Sequence, residues 1–75
     1  MGMRTHREIV QTFGASNLAR ELLARGIEVH QSTPQRWADR DSIPGEYWSM
    51  MVELDAASLA ELAEAAARRA RQGAQ

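Results

Sequence analysis

Apolar residues recur along this chain at intervals of three and four, the spacing that lines one face of an α-helix, and they nowhere alternate as in a half-buried strand. Thr5 followed by Glu8 is a capping-box pattern opening a helix over Arg4–Phe13, with Ile9, Val10 and Phe13 on its apolar face and Gly14 as its stop. Ser16 is placed to cap a second helix, Asn17–Arg25, in which Leu18, Ala19, Leu22 and Leu23 recur at helical spacing before Gly26 ends it. Ile27 and Val29 flank Glu28, a turn expected to tuck two apolar side chains inward. Pro34 biases Thr33 away from helical dihedrals, which makes Thr33 the expected cap and Pro34 a first-turn residue of a short third helix ending near Arg40. Pro44 marks another helix start, and Tyr47, Trp48, Met51, Val52 and Leu54 are expected to close the core over the first three helices. Ser58 and Glu61 form a second capping-box pattern for a final helix whose stripe is Leu59, Leu62, Ala63, Ala66, Ala67 and Ala70 and whose stop is Gly73. The expectation is an all-α fold, a compact bundle of about five helices, as a single domain over residues 1–75 with its core in 5–54 and a C-terminal helix over 56–72.

A chain of 75 residues buries a modest core, so oligomerisation is a natural source of further stability. It contains no cysteine and two histidines far apart, which leaves no disulfide framework and no metal-ligand spacing. His6 and His30 read as polar surface residues without a role. No apolar run approaches a membrane span and the first residues lack the apolar core of a secretory signal, so a bacterial cytoplasm or nucleoid is the expected setting, with no membrane contact. No nucleophile motif, phosphate loop or metal-ligand spacing is present. That pattern argues against an enzyme, and no cofactor or small-molecule ligand is expected.

The net charge is −1, against indiscriminate binding of nucleic acid, but its distribution is uneven. Residues 1–40 hold six arginines against four acids, a net of +2, whereas residues 41–64 hold six acids and no base. All nine basic residues are arginine. Guanidinium suits bidentate contact to phosphate or guanine, and an Ala- and Arg-rich composition is equally what a GC-rich genome produces.

The run Leu18-Ala19-Arg20-Glu21-Leu22, then Gly26, then Arg36-Trp37-Ala38-Asp39-Arg40, then Ile43-Pro44, resembles the Cro/repressor-type helix-turn-helix superfamily of small phage and prophage regulators. The likeness covers about residues 5–54 and places a lambda repressor-like helix-turn-helix at about 17–40. It implies that the helix containing Trp37 lies in the major groove with Trp37 as its inward anchor. The implied base contacts are Gln31, Ser32, Gln35 and Arg36, since Gln pairs with adenine and Arg with guanine. Asn17, Thr33 and Arg40 are the candidate phosphate contacts. The function so implied is repression of transcription by a homodimer on an inverted repeat of double-stranded DNA, with half-sites about 10–10.5 base pairs apart.

Each of these residues also has a plainer reading. Arg36 can be a solvated surface residue or pair with Asp39, Thr33 a helix cap without a ligand, and Trp37 and Trp48 are assigned to packing. The alanines of the last helix serve either a dimer interface or packing within the chain, and the Tyr47–Leu54 helix is the other candidate dimer surface. The alternative function is a protein-binding adaptor, antirepressor or antitoxin-like, that keeps this fold and makes contact through its acidic 41–64 segment.

Overall fold

The computed structural model describes residues 4–72, and the Gly73 helix stop lies outside them. The described residues form five α-helices, with a 3₁₀ turn between the third and fourth, and contain no strand. Helix α1 spans His6–Phe13. Its N-terminus is the capping box expected from Thr5 and Glu8: the Glu8 N–H donates to Thr5 Oγ1 and the Thr5 N–H to Glu8 Oε1. Arg4, expected inside this helix, lies before it.

Gly14 ends α1 and begins α2, Ala15–Ala24, within a single residue. Its φ of 97° allows the chain to reverse at once while its N–H donates to the Val10 carbonyl and its own carbonyl accepts from Leu18. The turn therefore leaves no room for a Ser16 cap, and Ser16 is the second residue of α2. Of its expected apolar stripe, Leu18, Ala19 and Leu22 are buried, but Leu23 is 61% exposed because α1 and α3 cover only one side of the helix.

Helix α2 closes in a Schellman motif: Gly26 is left-handed at φ 80°, its N–H donates to the Leu23 carbonyl and that of Ile27 to Leu22. Helix α3, Thr33–Arg40, ends the same way at Asp41, and α4, Trp48–Glu53, at Asp55. In both, an aspartate occupies the left-handed position, at φ 55° and 59°. Before α4, Gly45–Tyr47 form the 3₁₀ turn after Pro44, so the expected fourth helix starts later than the proline. Val52, expected in the core, is 43% exposed.

The core gathers Ile9 and Val10, Leu18 and Leu22, Trp37 and Ala38, Ile43, Met51 and Leu62. Trp37 is 4% exposed and stacks at 4.8 Å on Tyr47, so the helix bearing it is anchored as expected. Helix α5, Leu59–Gln72, starts with Ser58 Oγ accepting the Glu61 N–H, and only Leu62 among its residues is fully buried.

His6 contradicts its sequence reading as a surface residue. It is 2% exposed, with its ring edge-on to Trp48 at 5.9 Å. The Ile43 N–H donates to Nδ1 at 2.8 Å, so the ring proton resides on Nε2 and is directed to the Leu62 carbonyl at 2.9 Å. One neutral imidazole thus satisfies a donor before α4 and an acceptor in α5. His6→Ala leaves the buried Ile43 N–H unpartnered, while the Leu62 carbonyl keeps its bond within α5, and is expected to destabilise the fold by about 2–4 kcal/mol, lowering Tm by more than about 8 °C. A loss below about 1 kcal/mol would remove His6 from this role.

Asp55 is exposed and its side chain bonds to nothing among the described residues. Asp55→Gly relieves its left-handed backbone and is expected to raise stability by about 0.5–1 kcal/mol in a thermal melt. Asp41→Gly should bring no such gain, because the Asp41 carboxylate accepts the Arg7 N–H at 2.9 Å.

Candidate nucleic-acid interface

Pro34, Trp37 and Ala38, at i, i+3 and i+4, are the buried face of α3, and this periodicity turns Gln35, Arg36, Asp39 and Arg40 to the outside. Pro34 has no N–H to lose in a first turn, and its ring adds to the buried face. The helix starts one residue earlier than expected. Thr33 donates its N–H to the His30 carbonyl at 2.9 Å and is itself helical, leaving Ser32 in the cap position.

Both ends of α3 are fixed. At the start, His30 Nδ1 accepts from the Ser32 N–H at 3.1 Å and meets Ser32 Oγ at 2.7 Å, so the Ser32 hydroxyl is committed to the turn. At the end, Arg7 Nε donates to the Ala38 carbonyl at 2.8 Å and Nη2 reaches the Asp39 carbonyl at 3.4 Å. Asp41 Oδ1 accepts the Arg7 backbone N–H in return. The two helices cap one another, a cation at the negative end of α3 and a carboxylate at the positive end of α1.

The proposed contact residues fall into distinct settings. The Arg36 side chain is exposed, with no hydrogen bond or ion pair to any described residue, so the Arg36–Asp39 pairing is not formed. Gln35 instead donates to Asp39 Oδ1 at 3.0 Å across one turn, which leaves its carbonyl and one N–H outward. Gln31 is exposed in the turn before α3, next to the half-buried Ser32. Thr33 is half-buried in the first turn, and Arg40 is exposed in the last. Asn17 is exposed at the third position of α2, a helix start without a side-chain cap and so with free N–H groups. A shallow groove brings the first half of α2, at Ser16 and Arg20, against His30, Gln31 and Ser32.

Arg20 was missed by the sequence reading. It shares the exposed stripe of Asn17 at i+3, and that spacing was the available signal. Asp39 was missed as well: a carboxylate in the middle of the exposed face can accept from cytosine N4 and repels phosphate.

Contacts change the charge count. Arg4 forms a fork to Glu61, Nε to Oε2 and Nη2 to Oε1, each at 2.8 Å, and also donates to the Ala56 carbonyl. Arg7 is spent on α3, and Arg25 pairs with Glu21 at 3.0 Å. Of the arginines in 1–40, Arg7, Arg20, Arg36 and Arg40 have no acid partner among the described residues; the Arg7 side chain is held by carbonyls, and the side chains of the other three, on α2 and α3, are bonded to none. In the acidic segment, Asp41 and Glu61 are engaged, Glu64 lies 3.8–3.9 Å from Arg71 and Arg68, and Glu46, Glu53 and Asp55 stand exposed.

No known protein family, curated protein or solved structure matches this chain. No group of three His, Cys, Asp or Glu side chains suited to a metal ion occurs among the described residues, and none of their helices is long and apolar enough to cross a membrane.

The hydrogen-bonded Arg4 guanidinium holds the Glu61 carboxyl below its ordinary value of 4.5, against a smaller opposing effect of burial. A carboxylate whose pKa is depressed on folding stabilises the fold above its unfolded value and loses that contribution as the pH falls through the folded one. The stability of the intact chain is therefore expected to fall below about pH 4.5 more steeply than that of Arg4→Gln. Since both side chains are partly exposed, the difference at neutral pH should be no more than about 1 kcal/mol. Parallel acid limbs in urea titrations of the two proteins would contradict this account.

Proposed function

We propose that this chain is a sequence-specific DNA-binding regulator of transcription, a repressor that binds an inverted-repeat operator as a homodimer and reads the major groove with α3. The observation that carries the reading is the unpartnered Arg36 on the outer face of a helix held at both ends. A base-reading side chain discriminates only if its backbone does not yield when the wrong base is presented. Arg36 offers its fork to guanine O6 and N7. Gln35 keeps one N–H and its carbonyl for adenine N7 and N6 while its other N–H stays on Asp39. Asn17 and the free N–H groups of α2, with Arg20 beside the turn, suit the phosphates on one side of the groove.

Ser32 supports the turn through His30, and Gln31 extends the reading surface before α3. Thr33 and Arg40 take the phosphate contacts at the two ends of that helix. A weakly charged module with few readers gains specificity by doubling them. On α5, Leu59 is 58% exposed and, of the alanine stripe, Ala63, Ala67 and Ala70 are exposed and Ala66 half-buried. This supports α5 as the dimer surface and disfavours packing within the chain as the use of its alanines. Repression and a cytoplasmic setting follow from the resemblance to Cro/repressor-type regulators. The adaptor reading has less support, since three of the six acids in 41–64 are taken up by contacts within the chain.

Selection from a random pool of duplexes should return a palindromic consensus. Arg36→Ala should lower affinity for the selected site by about 1–3 kcal/mol, roughly 5- to 150-fold, while changing binding to random duplexes little. Absent or unselective binding by the intact protein would overturn the proposal and favour the adaptor.

A further inference from the structure

We propose that Arg69 of α5 joins Arg40 in a clamp on the DNA sugar-phosphate backbone beside the C-terminal end of α3, an inference that rests on the DNA-binding reading and assigns α5 a second task. Arg69 Nε donates to the Arg40 carbonyl at 3.2 Å. A residue 29 positions away thereby brings a second guanidinium to the end of the reading helix. Its two neighbours in charge on α5 are otherwise occupied: Arg68 and Arg71 both lie within 4 Å of Glu64, and Arg69 has no acid partner among the described residues. Asp41 and Arg69 line one small notch, but the aspartate accepts the Arg7 N–H and forms no ion pair with Arg69.

Capping the Arg40 carbonyl leaves most of the Arg69 guanidinium unused. Arg7 already serves the Ala38 and Asp39 carbonyls, and the bond to the Arg40 carbonyl uses one of the five N–H groups of the Arg69 guanidinium. Arg40 and Arg69 are both exposed and neither forms an ion pair among the described residues, which leaves N–H groups of both for an external anion. Arg40 stands one turn from Arg36, about 6 Å along the helix axis, and the major groove is about 12 Å wide. With Arg36 at the base edges, the end of α3 points to the wall of the groove. That wall, one strand's backbone, carries one phosphate charge per about 3.4 Å of duplex, and the free N–H groups of Arg69 match phosphate oxygens.

The test is the salt dependence of binding by the full chain to the selected duplex and to random duplexes. Arg69→Gln should reduce the slope of log affinity against log salt by about 0.9, the loss of one phosphate contact, and weaken both duplex classes by the same factor. Arg69→Lys keeps the charge and should keep the slope. Arg69 is exposed, so both variants should fold, and thermal melts check this. An unchanged slope in a folded Arg69→Gln variant overturns the clamp alone, as does a change confined to sequence preference or an equal loss of slope in Arg69→Lys. If Arg69→Gln does not fold, Arg69→Met, also uncharged, is read by the same criterion. Failure of the intact chain to bind any duplex overturns the DNA-binding reading itself, and the clamp with it.

Discussion

The first turn of α1 ties together α3, the segment before α4 and α5, because two adjacent side chains there bond to backbone groups of all three. His6 holds the Ile43 N–H and the Leu62 carbonyl, while Arg7 holds the last carbonyls of α3 and takes the Asp41 carboxylate on its own N–H. Buried or half-buried polar groups of the backbone are costly without partners, so these bonds set where α3, the segment before α4 and α5 must lie. The apolar core beneath them is small and mostly aliphatic. It supplies the drive to collapse but little that would fix one helix at one rotation about its axis.

The same bonds determine the electrostatics of the surface. Arg4 and Glu61 neutralise one another, while the Arg7 guanidinium is spent on the carbonyls ending α3 and the Asp41 carboxylate on the backbone N–H of Arg7. What remains is a small set of free cations on α2, α3 and α5 and a small set of free carboxylates around α4. A molecule with a net charge of −1 can in this way present a positive side to a polyanion. The face of α3 is mixed, with Asp39 between Gln35 and Arg36, and such a face rewards the right donor and acceptor pattern more than it rewards charge.

Much of the helix pattern was legible because its signals are local. The Thr5–Glu8 box, the Gly26 stop, the inward Trp37 and the Ser58 start each involve residues within a turn of one another. Boundaries moved where one residue served two elements: Gly14 displaced Ser16 as the start of α2, and the Thr33–His30 turn took Thr33 into α3. Left-handed Asp41 and Asp55 gave no sign, since aspartate is not the usual residue for that backbone. In the candidate site, Gln35, Arg36 and Arg40 lie on the outer face that periodicity assigns them. The commitment of Ser32 to His30, and the positions of Arg20 and Arg69 beside α3, required coordinates.

The sequence by itself determined that the chain is helical, where each helix has its apolar side, and which few polar side chains stand outermost on α3. Those properties follow from spacing within about one turn. Tertiary structure decided which charges are free and that His6 is interior, because partners such as Arg4 and Glu61, Arg7 and Asp41, His6 and Leu62, or Arg69 and Arg40 are 29 to 57 positions apart. Nothing in the local chain distinguishes an arginine that will cap a distant helix from one left facing solvent. Only the packing that brings the two segments together makes the choice.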